Sequence, residues 1–377
     1  MRIAPDVQEI ADKVDRGERL SFEDGVRLFE CRDLLSVGWL ANRVRRRLHG
    51  NYVYFNQNRH INPTNICAVH CNFCSFRRNG NEEDAYWWTP EEIVERVRPD
   101  VGPHITEFHI VGGLHPELGL DYYCAIFRRL KEAYPWVHIK AMTAVEVHFL
   151  AELEGLDYET VLRRMKEAGL DSMPGGGAEI FAERVRRRIC PEKATAEQWL
   201  EIHRIAHGLG IRSNATMLYG HIETYEDRVD HLLRLRALQD ETGGFQTFIP
   251  LAFHPMNNGL GKKVNREWTT GVDDLKVIAV SRLLLDNFPH IKAYWVMLTP
   301  QMAQIALNFG ADDIDGTVIE ERIYHDAGAT TPQHLASPAL LRYIRAAGCV
   351  PVERDTVYNV IRVYEEDAPQ PVKAVQG

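Results

Sequence analysis

Short apolar runs alternate with longer amphipathic stretches along most of the chain. Residues 107–111, 137–142, 171–174, 212–219, 246–253, 291–298 and 313–319 read as strands, rich in β-branched and aromatic side chains. An earlier strand lies at 52–55 or around 60–61, and the pattern does not fix which. Between them fall helical stretches at 121–134, 157–168, 179–188, 195–208, 224–241, 272–287 and 301–309, with a last one near 332–347. Thr89-Pro90-Glu91-Glu92 opens another helix, with threonine as cap and proline at the first position. Eight strand–helix units over some 270 residues predict an α/β fold, a parallel (β/α)8 barrel close to the ~250 residues usual for that architecture. Residues 1–50 are expected as an N-terminal helical extension with a cap at Ser21, 51–350 as the barrel, and 351–377 as a C-terminal segment ending in a loose tail.

Composition narrows the class. The chain has 377 residues, 45% hydrophobic and 26% charged, with a net charge of -9. That balance gives no reason to expect nucleic acid. No run of about 18 apolar residues is present, so no membrane span is expected, and the charged residues 1–18 do not read as a secretory signal. Cys31, Cys124, Cys190 and Cys349 stand singly among seven cysteines, which is no disulfide framework. They read as small buried hydrophobes and point to a cytoplasmic protein.

The chemistry concentrates at Cys67, Cys71 and Cys74, three thiols in eight residues spaced C-x3-C-x2-C. Such a set favours zinc, copper(I) or iron–sulfur. Zinc would need His70 as a fourth ligand, and a redox pair of Cys71 and Cys74 would leave Cys67 unexplained. Three thiolates on a four-iron cluster would leave one iron open. In a barrel of this kind the site is built from the loops after the strands. Those loops carry Gly112-Gly113, then Thr143, Glu146 and His148, then Gly175-Gly176-Gly177 and Glu179. Arg184, Arg186, Arg187 and Arg188 follow on a helix, and later loops add His221, His254 and Asn257, Tyr294 and Asp315. Two histidines at successive strand ends raise the odds of function for each.

The cysteine loop resembles that of the radical S-adenosylmethionine (SAM) superfamily. Residues 168–179, 238–245 and 311–313 resemble one branch of it, which holds menaquinone enzymes of the futalosine route and deazaflavin (F0) synthase subunits. Residues 217–224, 248–255 and 290–295 resemble the aminofutalosine synthases within that branch. The resemblance implies a [4Fe-4S] cluster on Cys67, Cys71 and Cys74, with SAM on the open iron and consumed as a co-substrate. It implies addition of the 5'-deoxyadenosyl radical to 3-[(1-carboxyvinyl)oxy]benzoate, an electron donor such as flavodoxin or ferredoxin, and a place in menaquinone biosynthesis. Rival readings are the cyclic dehypoxanthine futalosine synthases, an F0 synthase subunit, and a zinc-binding interaction module. On the resemblance, Gly112 and Gly113 would meet the methionine amino group and Glu179 the ribose or amino group. Arg188 would pair with the SAM carboxylate, and Phe73 would wall the cluster or adenine. His221, His254 and Asn257 are the candidates for the dicarboxylate, with Arg77 and Arg78 behind them.

Overall fold

The computed structural model describes residues 3–264 and 268–365. Its strands are β1 (Tyr52–Asn56), β2 (Asn58–Ile61), β3 (Glu107–Ile110), β4 (His138–Ala141), β5 (Ser172–Met173) and β6 (Arg212–Tyr219). They continue as β7 (Phe245–Ala252), β8 (His290–Ile291), β9 (Asp313–Gly316), β10 (Val350–Arg354) and β11 (Val360–Val363). Strands β2 to β8 pair in chain order, all parallel. β1 lies in a second sheet between β9 and β10, with β11 antiparallel at its edge. Single parallel bridges, Lys292 to Asp313 and Ile319 to Arg59, carry the ring from β8 through β9 back to β2. This is the eight-unit barrel expected from the pattern, and both places considered for its first strand are strand.

Helices join successive parallel strands, as parallel pairing requires. Several are fixed by reciprocal caps, in which a hydroxyl accepts from the third helical N–H and an acid or amide returns the bond. Thr89 with Glu92, Thr143 with Glu146, Thr195 with Gln198 and Thr224 with Asp227 all do this. The helix Ala144–Glu154 was not expected from the pattern. Thr143 and Glu146 are its cap rather than loop residues, and His148 turns away to Tyr158, 2.8 Å from its hydroxyl.

Three segments depart from expectation. The seventh strand stops after two residues, and Trp295–Leu298 is a short helix packed wholly in the interior. Its continuous apolar run is one that buried helix and buried strand share. The helix expected at 332–347 begins at Ser337. The C-terminal segment forms β10, which pairs with β1 and buries Arg354 against Asp313 at 2.6 Å. The loose tail expected over residues 366–377 lies outside the described residues.

The barrel interior is not simply apolar. Lys140 pairs with Glu107 at 2.8 Å and Lys292 with Asp315 at 3.0 Å, all four buried. Removing one partner from such a pair would strand a buried charge, so these contacts fix the floor on which the site rests.

Candidate active site

At the C-terminal ends of the strands the barrel opens into a cavity of about 290 Å³. Cys67, Cys71 and Cys74 line it at one end, on the loop that follows β2. Backbone bonds pin that loop. Cys67 N donates to Arg78 O at 3.1 Å, Ala68 N to Leu114 O at 2.9 Å, and Asn72 N to Ile189 O at 2.8 Å. Burial pushes the Cys71 and Cys74 thiols up, and the Lys193 ammonium draws them partly back. Thiols held in this way stay protonated until a metal binds the sulfur and displaces the proton to solvent. Among the described residues, His49, His290 and Asp312 form a separate trio of metal-capable side chains whose ligand atoms lie within 4.8 Å of one another. That trio stands at the N-terminal ends of β8 and β9, the opposite end of the barrel. Its carboxylate is already engaged by Arg282 and by Ile291 N at 2.9 Å.

Gly112 and Gly113 line the cavity beside the loop, and their bare Cα atoms also meet protein backbone. A Cβ on Gly113 would lie 2.8 Å from the Ile66 carbonyl carbon, with the Ile66 oxygen closer still. A Cβ on Gly112 would lie 3.0 Å from Thr64 O. The missing side chains admit the backbone that leads into the cysteine loop. Glu146 reinforces this corner by accepting from Gly112 N at 3.2 Å and Thr143 N at 2.6 Å. Burial pushes its carboxyl up to about 7, against the pull of those N–H groups.

Glu179 sits in the wall, paired with Lys193 at 2.5 Å. The Lys193 ammonium is 5.1 Å from the centre of the Phe73 ring, which also lines the cavity. Lys193 was not singled out from the sequence, because its approach depends on how the segment after Cys190 folds back. Its place is the one expected of Arg188. That arginine is exposed and absent from the lining; its carbonyl accepts from Asn72 Nδ2 at 2.6 Å. Arg186 is buried as a donor to the carbonyls of Ala178, Ile180 and Ala194.

The histidines divide. His254 lines the far wall with Phe253, Tyr294 and Tyr324. Its Nε2 is 3.2 Å from Met297 O, its Nδ1 has no partner among the described residues, and burial lowers its pKa to about 4. It is therefore a neutral imidazole. His221 is fully buried behind the wall and outside the lining. Its Nδ1 accepts from Ile222 N at 2.8 Å and its Nε2 stands 3.1 Å from Leu218 O, while Glu223 accepts from His221 N at 2.8 Å, which together fasten the turn after β6. Asn257 is exposed at positive φ and donates to Asp326 O at 3.0 Å, tying two loops together. Arg77 lines the mouth, whereas Arg78 is spent on Asp84 and on the carbonyls of Ser75, Phe76 and Arg77. Below the loops the strands add His60, His109, Asn214 and Asp315.

A three-cysteine loop, a fixed acid–ammonium pair and a mostly apolar bowl thus share one chamber. The model of the radical SAM superfamily matches residues 61–235, and that of the CofH/MqnC C-terminal region matches 242–367. The aminodeoxyfutalosine synthase of Thermus thermophilus is 54% identical over 362 residues, 96% of this chain and 97% of that one. The chain belongs to the radical SAM superfamily. The aminodeoxyfutalosine synthase of Streptomyces coelicolor, another relative in this superfamily, is 48% identical over 380 residues, 97% of this chain and 98% of its own. The crystal structure of methylornithine synthase (PylB) superposes with a TM-score of 0.72 at 18% identity, over 91% of this chain and 97% of that one, a likeness of fold. This radical SAM chain has, among the described residues, no helix long and apolar enough to cross a membrane.

Proposed function

We propose that this chain is an aminodeoxyfutalosine synthase, which joins the 5'-deoxyadenosyl group of SAM to 3-[(1-carboxyvinyl)oxy]benzoate with loss of one carboxyl group as bicarbonate and release of methionine. The observation that carries the reading is end-to-end likeness at 54% identity to a protein of that name, in a chain whose three cysteines open onto one apolar-walled chamber. With cluster, SAM and a one-electron donor of flavodoxin or ferredoxin type, the cofactor supplies a primary carbon radical that would add to the enol-ether double bond.

The residues fit that cofactor. Three thiols on one loop suit a four-iron cluster with one iron left open to SAM, and the match to the radical SAM superfamily over residues 61–235 argues against the zinc module. Lys193 would pair with the SAM carboxylate as a compact point charge, and Glu179 would accept from a SAM ammonium or ribose hydroxyl. Phe73, which lines the chamber with the three cysteines, would wall the cluster or the adenine. Phe253, Tyr294 and Tyr324 form a wall that excludes water from the reacting carbon. His254, neutral, would serve that wall as an acceptor at Nδ1.

Anaerobic reaction of the reconstituted, reduced protein with SAM and the enol ether, read by mass spectrometry, tests the reading. A product carrying the whole adenosyl group and lacking one carboxyl is expected. Free 5'-deoxyadenosine as the sole nucleoside product would overturn it in favour of a hydrogen-abstracting relative, a cyclic dehypoxanthine futalosine synthase or an F0 synthase subunit.

A further inference from the structure

His60 and His109 are register partners on the adjacent parallel strands β2 and β3, so their side chains project side by side into the barrel. Their rings stack with centroids 4.6 Å apart at 15°, and both line the cavity below the cysteine loop. No hydrogen bond reaches either ring among the described residues; Glu107 Oε1 stands 3.8 Å from His109 Nδ1. Most charged groups around the pair are already matched, and Glu107 is the acid whose second oxygen, Oε1, faces His109. On β3, Glu107 is held by Lys140 at 2.8 Å and Asn56 at 3.2 Å. On β9, Asp315 is held by Lys292 at 3.0 Å, and on β2, Arg59 by Asp100 at 2.8 Å and by Glu320. The imidazoles are thus polar groups at this end whose rings no hydrogen bond claims among the described residues, with Asn214 Oδ1 beside them in the same lining.

We infer that the stacked His60–His109 pair is an anion subsite, which takes the aryl carboxylate of the substrate together with one proton. The inference rests on the dicarboxylate reading above. Two imidazoles in contact cannot both carry charge in a buried site. Burial, and then the neighbouring His109, hold His60 well below its usual pKa, so the His60 ring is neutral in the empty site. A carboxylate in front of the rings supplies the missing counter-charge. One ring becomes an imidazolium and the other donates a neutral N–H, two directed bonds to two oxygens. The proton enters with the ligand and titrates with the pair as a unit.

Calorimetric titration of the oxidised, SAM-loaded holoenzyme with 3-[(1-carboxyvinyl)oxy]benzoate, in phosphate and in Tris, counts the protons bound. Wild type is expected to take up about one proton near pH 8, with affinity falling about tenfold per pH unit above neutrality. His60→Gln and His109→Gln are expected to lose that uptake and to bind about 10- to 100-fold more weakly, the worth of one charge-assisted hydrogen bond. Zero proton uptake by wild type overturns the inference whether or not the variants fold, as does unchanged affinity and uptake in both variants. A wild type that forms no adenosylated product overturns the functional reading instead. Benzoate, titrated in the same buffers, then still decides the subsite by the same proton count and variants.

Discussion

Gly113→Ala separates two explanations of the paired glycines. In the structure their bare Cα atoms make room for protein backbone, while both also line the cavity. The added methyl would sit 2.8 Å from the Ile66 carbonyl carbon and 3.1 Å from that of Asn65. Carbon contacts relax near 3.5 Å, so the segment entering the cysteine loop must retreat by about 0.7 Å or more. It cannot do so freely. Gly113 N donates to Thr64 O at 2.8 Å, and Ala68 N to Leu114 O at 2.9 Å, one residue past Cys67. Overpacking costs about 1–3 kcal/mol and a strained backbone hydrogen bond about 1 kcal/mol more. Some 2–4 kcal/mol against the loop's native position lowers its population about 30- to 1000-fold.

The assay is iron and sulfide per chain after anaerobic reconstitution, with SAM affinity measured on whatever cluster forms. Gly113→Ala should retain a small fraction of wild-type iron. Gly112→Ala, whose methyl stands 3.0 Å from Thr64 O and 3.3 Å from Pro63 Cδ, needs only a few tenths of an ångström and should retain most of it. A Gly113→Ala protein with full iron but weakened SAM binding would refute the packing argument and restore the ligand-approach role. Full iron with unchanged SAM affinity would refute both.

Cys67→Ala, Cys71→Ala and Cys74→Ala should each abolish cluster assembly and turnover, while Cys124→Ala, buried on a helix far from the loop in sequence, should leave both intact; iron analysis and product yield decide it. Lys193→Met should weaken SAM binding about 10- to 100-fold by removing a charge-assisted partner, whereas Arg188→Ala should leave it unchanged, read by equilibrium dialysis. Acid should destabilise the fold through histidines held neutral by burial, His254 and His207 at about 4 and His231 at about 3. Between pH 6.5 and about 4 the unfolded chain binds protons that the folded chain refuses, so stability falls as pH falls, by up to about 3 kcal/mol for a group shifted that far. The urea midpoint should drop across that window, and His207→Gln should flatten the drop.

What the sequence made legible follows the distance over which each signal acts. Strand–helix alternation is local, and with the cysteine spacing it placed the barrel and put the cluster loop, the glycines, Glu179 and His254 at the correct mouth. It could not say which way a side chain points once a loop folds. His221 and His254 follow successive strands with the same local signal. Yet one ring turns inward to Ile222 N and Leu218 O, while the other, in the cavity wall, keeps Nδ1 without a partner among the described residues. Arg188 and Lys193 lie five residues apart. The helix Glu183–Ile189 ends between them, and the turn at Cys190 sends the lysine into the chamber and leaves the arginine in solvent.

The histidine pair was hidden for another reason. Neither His60 nor His109 stands in a motif, and their meeting depends on the register of two strands whose pairing residues are 49 apart in the chain. A polar residue inside a strand reads as an interruption of the apolar pattern, yet a parallel barrel strand is covered on both faces, so a polar side chain there has no water to face. It must find a partner or a ligand. Glu107, Lys140, Lys292 and Asp315 found partners in one another. Among the described residues, His60 and His109, on the same floor, have each other's faces, the Glu107 carboxylate 3.8 Å from His109 Nδ1, and the open chamber. The exception inside the strand is therefore as strong a pointer to substrate as the loop residues above it, once register is known.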